Sequence, residues 1–186
     1  NPMFGATSGY MTTLFKGSNV KVKEINNDFN PAFGGLNPEP IEDNLLFTKK
    51  TMKNRKYDVA FAFDGDGDRI ACFDEDASYY SSQRLLPLFL HYLVKVKKQN
   101  LPVKEVPIGF KNIVPFFLDG EALIGGEESG GIAIKGYIPE RDGIFCALTL
   151  LDILQYYKKK LSEIWDEMES QYGTFFFKRE DYHFED

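Results

Sequence analysis

The chain has 186 residues, 43% of them hydrophobic and 27% charged, an ordinary globular composition with room for one large domain or two small ones. Its 22 Lys and Arg against 28 Asp and Glu leave a formal net charge of -6, which argues against nucleic-acid or anionic-membrane partners, so any phosphate must be held by local groups. No apolar run approaches the ~20 residues of a membrane span or reads as a signal h-region. Cys72 and Cys146 sit inside apolar runs, where unpaired core thiols in a reducing cytoplasm are expected rather than a disulfide framework.

In chain order, "NPMFGATSG" from Asn1 reads as a turn leaving a strand that is not present. "NVKVKEIN", Asn19 to Asn26, alternates Val20 and Val22 with Ile25 slightly out of step, which predicts a short strand. "DFNPAFGGLNPEP" is loop, rich in proline, glycine and asparagine. "IEDNLLFTKKTMKNR" carries Ile41, Leu45, Leu46 and Met52 at the spacing of an amphipathic helix. "YDVAFAF" is a near-continuous apolar run, the signature of a buried strand in a parallel or mixed sheet. An aspartate loop follows, and "RIACFDED" predicts a second short strand ending in an acidic turn.

"QRLLPLFLHYLVKVKK", Gln83 to Lys98, predicts a helix with Pro87 in its first turn. "VKEVPIGFKNI" reads as strand then turn, and "EALIGGEESGGIAIKGYIP" as strand, Gly-rich acidic loop and strand. "DGIFCALTLLDILQYYKKK" predicts a helix with Ile144, Phe145, Leu148, Leu151 and Leu154 on one face. Asp142 is its expected N-cap. "LSEIWDEMESQYG" predicts a last helix, capped by Ser162 and closed by Gly173. "KREDYHFED" reads as a linker or tail. Strands alternate with helices, so the fold class is α/β. There is no internal repeat.

The chemistry concentrates in "DGDGDR". In extended chain, alternate side chains point the same way, so Asp64, Asp66 and Asp68 can converge. Like charges that close repel unless a cation lies among them, and hard carboxylate oxygens suit Mg²⁺ or Ca²⁺ rather than zinc. Gly65 and Gly67 allow a tight turn and close approach of a ligand, and Arg69 is placed to pair with a phosphate oxygen beside the metal. Three alternatives stand beside this reading. One is a plain acidic turn between strands. Another is an EF-hand, which has Glu75 at its twelfth position but Arg69 where glycine is required. The last is an aspartyl-nucleophile phosphatase, with Asp64 as nucleophile and Asp66 as acid.

Two further loops carry polar groups. "GGEESGGI" offers Glu127, Glu128 and Ser129 to the hydroxyls of a sugar, or is a glycine-dependent β-turn with exposed acids. "IPERDGI" places Arg141 and Asp142 at a helix start. Lys111 in "GFKNI" is either a phosphate or sugar contact or a surface lysine.

Together these residues resemble the α-D-phosphohexomutase superfamily, the phosphoglucomutase/phosphomannomutase enzymes, over nearly the whole chain. "NPMFGATSGY" resembles the turn after the first strand of the family's second domain, and "FGGLNPEP" its P-N-P-E segment. "FDGDGDRI" is similar to the metal loop D-G-D-G-D-R, and "GGEESGGI" to the sugar loop G-E-x-S-G-H. "YIPERDGIFCALTLLDIL" resembles the K-D-G-I stretch that leads into a long helix. The resemblance implies interconversion of hexose 1-phosphate and hexose 6-phosphate. A phosphoserine donates its phosphoryl group, and a bisphosphorylated sugar reorients and returns the other phosphate. It implies Mg²⁺ on Asp64, Asp66 and Asp68, a phosphate contact by Arg69, and sugar contacts by Glu127 and Ser129.

The departures set further expectations. The phosphoserine loop, T-A-S-H-N-P or similar, and the phosphate-binding loop R-x-S-G-T-E are absent from these residues. The chain by itself is therefore expected to be inactive, a fragment of a four-domain enzyme. Gly131 stands where many members carry His. A strand-helix segment is missing near 98–101, where "KKQNLPVKEVPIGFK" passes straight on. The expected fold is two consecutive α/β domains with mixed sheets flanked by helices. Residues 1–75 form the metal-binding domain lacking its first strand, 76–173 the sugar-binding domain, and 174–186 a linker. The competing class is a non-catalytic module that binds Mg²⁺ and a sugar phosphate. Expected partners are hexose phosphates, with neither nucleic acid nor membrane.

Overall fold

The structure, a computed structural model, describes residues 1–54, 56–97, 102–174 and 176. Its elements in order are α1 (Tyr10–Leu14), α2 (Leu46–Lys53), β1 (Ala60–Phe63), β2 (Ile70–Phe73), β3 (Tyr79–Tyr80), α3 (Ser82–Lys97), α4 (Val114–Leu118), β4 (Ile124–Gly126), β5 (Ile132–Ile134), α5 (Gly143–Tyr157) and α6 (Leu161–Tyr172). Among the described residues the class is α/β, with two small sheets flanked by helices. The expected break near 98–101 lies outside the described residues, as does most of the 174–186 tail.

Both sheets are antiparallel. β1, β2 and β3 form a meander, with Ala60 opposite Phe73 and Phe63 opposite Ile70. β4 and β5 form a hairpin, with Ile124 opposite Ile134. The apolar run of β1 reports burial on both faces and says nothing of its partner's direction. Successive side chains on a strand point to opposite faces, and here each face meets its own core. Phe63, Ile70 and Cys72 enter one cluster, and Ala62, Ala71 and Phe73 enter a smaller one with Met3, Leu45, Met52 and Ala77.

The large cluster is closed by three helices. α3 buries Leu85, Leu88, Phe89, Tyr92 and Leu93, the i, i+3, i+4, i+7, i+8 spacing of one helix face. α6 does the same with Leu161, Ile164, Trp165 and Met168. α5 packs on β1, β2 and β5. Pro87 falls in the second turn of α3 rather than the first, because the helix begins at Ser82.

Several expected elements differ. Residues 19–26 carry no strand. A ladder needs a neighbouring edge, and this segment and β1 instead both line a cavity of about 1160 Å³ that contains none of the three aspartates. No strand forms across 103–107 either, a stretch bracketed by Pro102 and Pro107 in which Val103 is 93% exposed and has no face to bury. α5 fully buries Gly143, Cys146, Ala147, Leu150 and Ile153, whereas of the expected stripe Ile144, Phe145 and Leu154 pack half-buried against that core and Leu148 and Leu151 are half-buried. This helix is apolar nearly all round, so its small residues chose the face that lies close on the sheet. Ser162 does not cap α6; Lys160 holds that position, and its N–H donates to Glu163 at 2.8 Å. Asp142 caps α5 as expected, accepting from Phe145 N–H at 2.7 Å, and Cys72 and Cys146 are free and buried. Among the described residues no helix is long and apolar enough to cross a membrane.

Candidate functional site

The aspartates occupy the turn of the β1–β2 hairpin, between the paired residues Phe63 and Ile70. Four other parts of the chain hold that turn. Ala6 N–H donates to Gly65 C=O at 2.9 Å, and Gly65 N–H to Pro38 C=O at 3.1 Å. Gly143 N–H, at the start of α5, donates to Gly67 C=O at 2.9 Å. From the β4–β5 hairpin, Gly131 forms an antiparallel bridge with Arg69. The packing leaves no room for a side chain at Gly5, whose Cβ would lie 2.5 Å from Gly65 C=O.

Inside the turn the three carboxylates differ. Asp64 is buried, 1% exposed. It accepts N–H groups from Gly67 and Arg69 at 3.0 Å, and the Arg69 Nε at 2.6 Å. Burial alone would raise its carboxyl, but the Arg69 hydrogen bonds outweigh that, and the net direction is down. Asp66 is exposed and Asp68 half-buried. Burial first, then the hydrogen bond and charge of neighbouring Asp64, push Asp68 up to about 6, against the pull of Arg141. One oxygen from each aspartate falls within 4.8 Å of the others. This is a hard-oxygen set strained by like charge, and a divalent cation among those oxygens would relieve the strain, so the residues fit a metal such as Mg²⁺.

That geometry removes one alternative. The loop joins antiparallel strands, not helices, so it is no EF-hand. Asp64 is buried and its carboxylate is held by Gly67 and Arg69.

Glu127, Glu128 and Ser129 lie in the β4–β5 turn, closed by Glu127 N–H to Gly131 C=O and Gly130 N–H to Glu127 C=O, both at 3.0 Å. Gly130 has φ +105, and a Cβ there would lie 2.4 Å from Ser82 Oγ. Glu127 is half-buried and accepts Gly109 N–H at 3.2 Å; Glu128 and Ser129 are exposed. Lys111 is also exposed, on the 3-10 turn Phe110–Asn112 that follows Gly109. The structure thus brings the aspartate turn and the Glu127 turn side by side, with Lys111 on a turn tied to the second.

Two further side chains, Glu39 and Arg141, join the site. Glu39, in the P-E-P segment, pairs with Arg69 Nη1 at 3.0 Å. Arg141 pairs with Asp68 at 2.7 Å and Glu127 at 3.3 Å, so one side chain spans both turns. No local spacing could reveal either contact. Five carboxylates (Asp64, Asp68, Glu39, Glu127 and Glu140) pair with the two guanidiniums and Asp66 adds a sixth in the same turn, an excess of negative charge that favours a cation.

Two family models match the chain. Residues 1–77 match the model of "Phosphoglucomutase/phosphomannomutase, alpha/beta/alpha domain II" and residues 91–172 that of domain III. Phosphoglucomutase 1 of Drosophila melanogaster is 29% identical over 97% of this chain and 37% of its own length. A phosphoglucosamine mutase of Methanococcus vannielii is 29% identical over 89% of this chain and 42% of its own length. The chain therefore spans about two-fifths of the curated relatives it matches. Among solved structures, a Thermus thermophilus protein described as a phosphomannomutase superposes with TM-score 0.84 at 30% identity, over 91% of this chain and 44% of that one. Parafusin from Paramecium, at 23% identity, has TM-score 0.73 over 94% of this chain and 37% of that one, a likeness of fold.

Proposed function

The chain belongs to the phosphoglucomutase/phosphomannomutase family and carries its domains II and III, and on that premise we propose that it supplies the cation-holding and sugar-contacting part of an enzyme interconverting hexose 1-phosphate and hexose 6-phosphate. The observation that carries this reading is the junction of two turns, one bearing three converging carboxylates and the other Glu127, through the Arg69–Gly131 bridge and the Arg141 fork.

In this proposal Asp64, Asp66 and Asp68 hold Mg²⁺, which when bound supplies positive charge to the oxygens of a phosphoryl group in transfer. Arg69 is braced by Asp64 and Glu39, so its guanidinium is pre-oriented toward a phosphate beside the carboxylates. Glu127 accepts from a sugar hydroxyl, and Ser129 and Glu128, exposed on the same turn, complete the polar edge. Lys111 contributes a positive charge near the sugar's phosphate. The phosphoryl donor of the parent protein is a phosphoserine outside these residues. The bisphosphorylated sugar formed from it turns over between Glu127's side and the carboxylates without leaving. Cytoplasmic residence fits the two buried, unpaired thiols.

Titration calorimetry of the purified chain with Mg²⁺ tests this. Saturable binding is expected, weakened more than about 10-fold in Asp64→Asn, as befits loss of a group at a metal site. Absence of saturable binding overturns the reading. The 186-residue chain is expected to produce no glucose 6-phosphate from glucose 1-phosphate; measurable conversion overturns the assignment of the donor to other residues.

A further inference from the structure

Arg141 is held less firmly than Arg69, and its grip falls on a carboxylate of the cation set. Its Nη2 lies 2.7 Å from Asp68 Oδ2, its Nη1 3.3 Å from Glu127, and its Nε 3.4 Å from Glu140. Its guanidinium stands over the Phe110 ring, 5.5 Å from the centroid. Arg69, in contrast, has two close partners, Asp64 at 2.6 Å and Glu39 at 3.0 Å. The stem of Arg141 crosses Gly131, where a Cβ would lie 2.0 Å from Arg141 Cδ, so the arginine reaches Asp68 only because residue 131 has no side chain.

A divalent cation among the three carboxylates and a guanidinium on Asp68 are positive charges in competition for one group. Arg69 stands 3.8 Å from Asp68 Oδ1 but is held by Asp64 at 2.6 Å and Glu39 at 3.0 Å, so it cannot close on Asp68 without giving those up. When a cation arrives, the charge that can leave is the one whose remaining contacts are long, Arg141. Resting on the reading of the carboxylates as a cation site, we propose that Arg141 is a displaceable counter-charge. It occupies Asp68 when no cation is bound and cedes it to a divalent cation. The released guanidinium, still on the Glu127 side of the cleft, then takes an oxyanion of the phosphorylated sugar. Cation binding would thus arm the site for its anionic ligand, and Arg141 acts as a positioning residue of the cation site and a contact to the sugar phosphate.

The test is binding of Mn²⁺, followed by electron paramagnetic resonance and calorimetry, to the wild-type chain, Arg141→Gln, Arg141→Lys and Gly131→Ala. The sign of the change is diagnostic, because a merely structural arginine would weaken the metal site on removal. Arg141→Gln is expected to bind Mn²⁺ about 2- to 5-fold more tightly, the worth of one partly exposed ion pair. Gly131→Ala is expected to shift affinity in the same direction, because its Cβ pushes the stem off Asp68 while the charge remains; Arg141→Lys falls between. With Mn²⁺ saturating, Arg141→Gln is expected to bind glucose 1-phosphate more weakly. Unchanged or weaker Mn²⁺ binding in Arg141→Gln, with Asp64→Asn still weakening the binding, overturns the inference alone. Unchanged glucose 1-phosphate affinity overturns its oxyanion half. No Mn²⁺ binding by any form overturns the cation-site reading and the inference with it.

Discussion

At the scale of single residues, Glu24 shows a side chain whose part in the fold no local pattern announces. It accepts the Gly9 N–H at 2.8 Å and the Thr12 N–H at 3.1 Å, satisfying the start of α1 from a distant segment. Burial alone would raise its carboxyl, but the Thr12 and Gly9 hydrogen bonds outweigh it, and its folded-state value is lowered from 4.5. A lowered acid stabilises the fold fully above its unfolded value and stops doing so as pH falls through the folded one. Acid denaturation below about pH 4.5 should therefore be shallower in Glu24→Gln than in wild type when stability is plotted against pH by chemical denaturation, and Glu24→Ala should cost about 1 kcal/mol at pH 7, the worth of a cap. Superimposable pH profiles would remove the capping role. The three aspartates behaved differently. Their spacing was legible because convergence of alternate residues is local geometry, whereas the Glu39–Arg69 pair spans a separation of 30 residues and had no sequence signal.

Elements were legible where periodicity was strict and one-sided. α3 and α6 bury the faces their spacing dictates, and the β1–β2 hairpin forms where two apolar runs flank the aspartates. Segment 19–26 and stretch 103–107 alternate or run apolar but find no edge to pair with, since a strand is a property of two segments. α5 illustrates the same limit for a helix. Its start lies so close to the aspartate turn that a Cβ at Gly143 would stand 2.8 Å from Arg69 C=O and 2.9 Å from Gly67 C=O. Backbone carbonyls cannot step aside as a flexible side chain can. Gly143→Ala is therefore expected to destabilise by about 1–3 kcal/mol, the usual cost of forcing atoms into filled space, and to weaken Mg²⁺ binding by displacing the turn. Thermal denaturation and calorimetry on one sample check both; a variant that melts with wild type and binds Mg²⁺ as tightly would show that the contact is not restrictive.

At the scale of the molecule, one hydrophobic cluster runs from Met11, Phe63 and Ile70 through Leu88, Ile132 and Leu150 to Trp165 and Met168. Segments matched to both family domains thus share a core, which predicts a single cooperative transition. Fluorescence of the single tryptophan, Trp165, and far-UV circular dichroism should give coincident urea curves, and Leu150→Ala should shift both together by about 2–5 kcal/mol; two separated transitions would mean the halves unfold independently. The amino-acid sequence alone determined the α/β class, the family resemblance, the two polar loops, the carboxylate triplet and the free thiols, because each depends on composition or on residues within a few positions of one another. Only the tertiary structure decided that the sheets are antiparallel, which face of α5 is buried, and that Arg141 reaches from the start of α5 to both polar turns. Those outcomes depend on which distant segments pack together, where backbone hydrogen bonds, a missing Cβ at Gly131 and charge across the chain select one arrangement among several that local pattern allows equally.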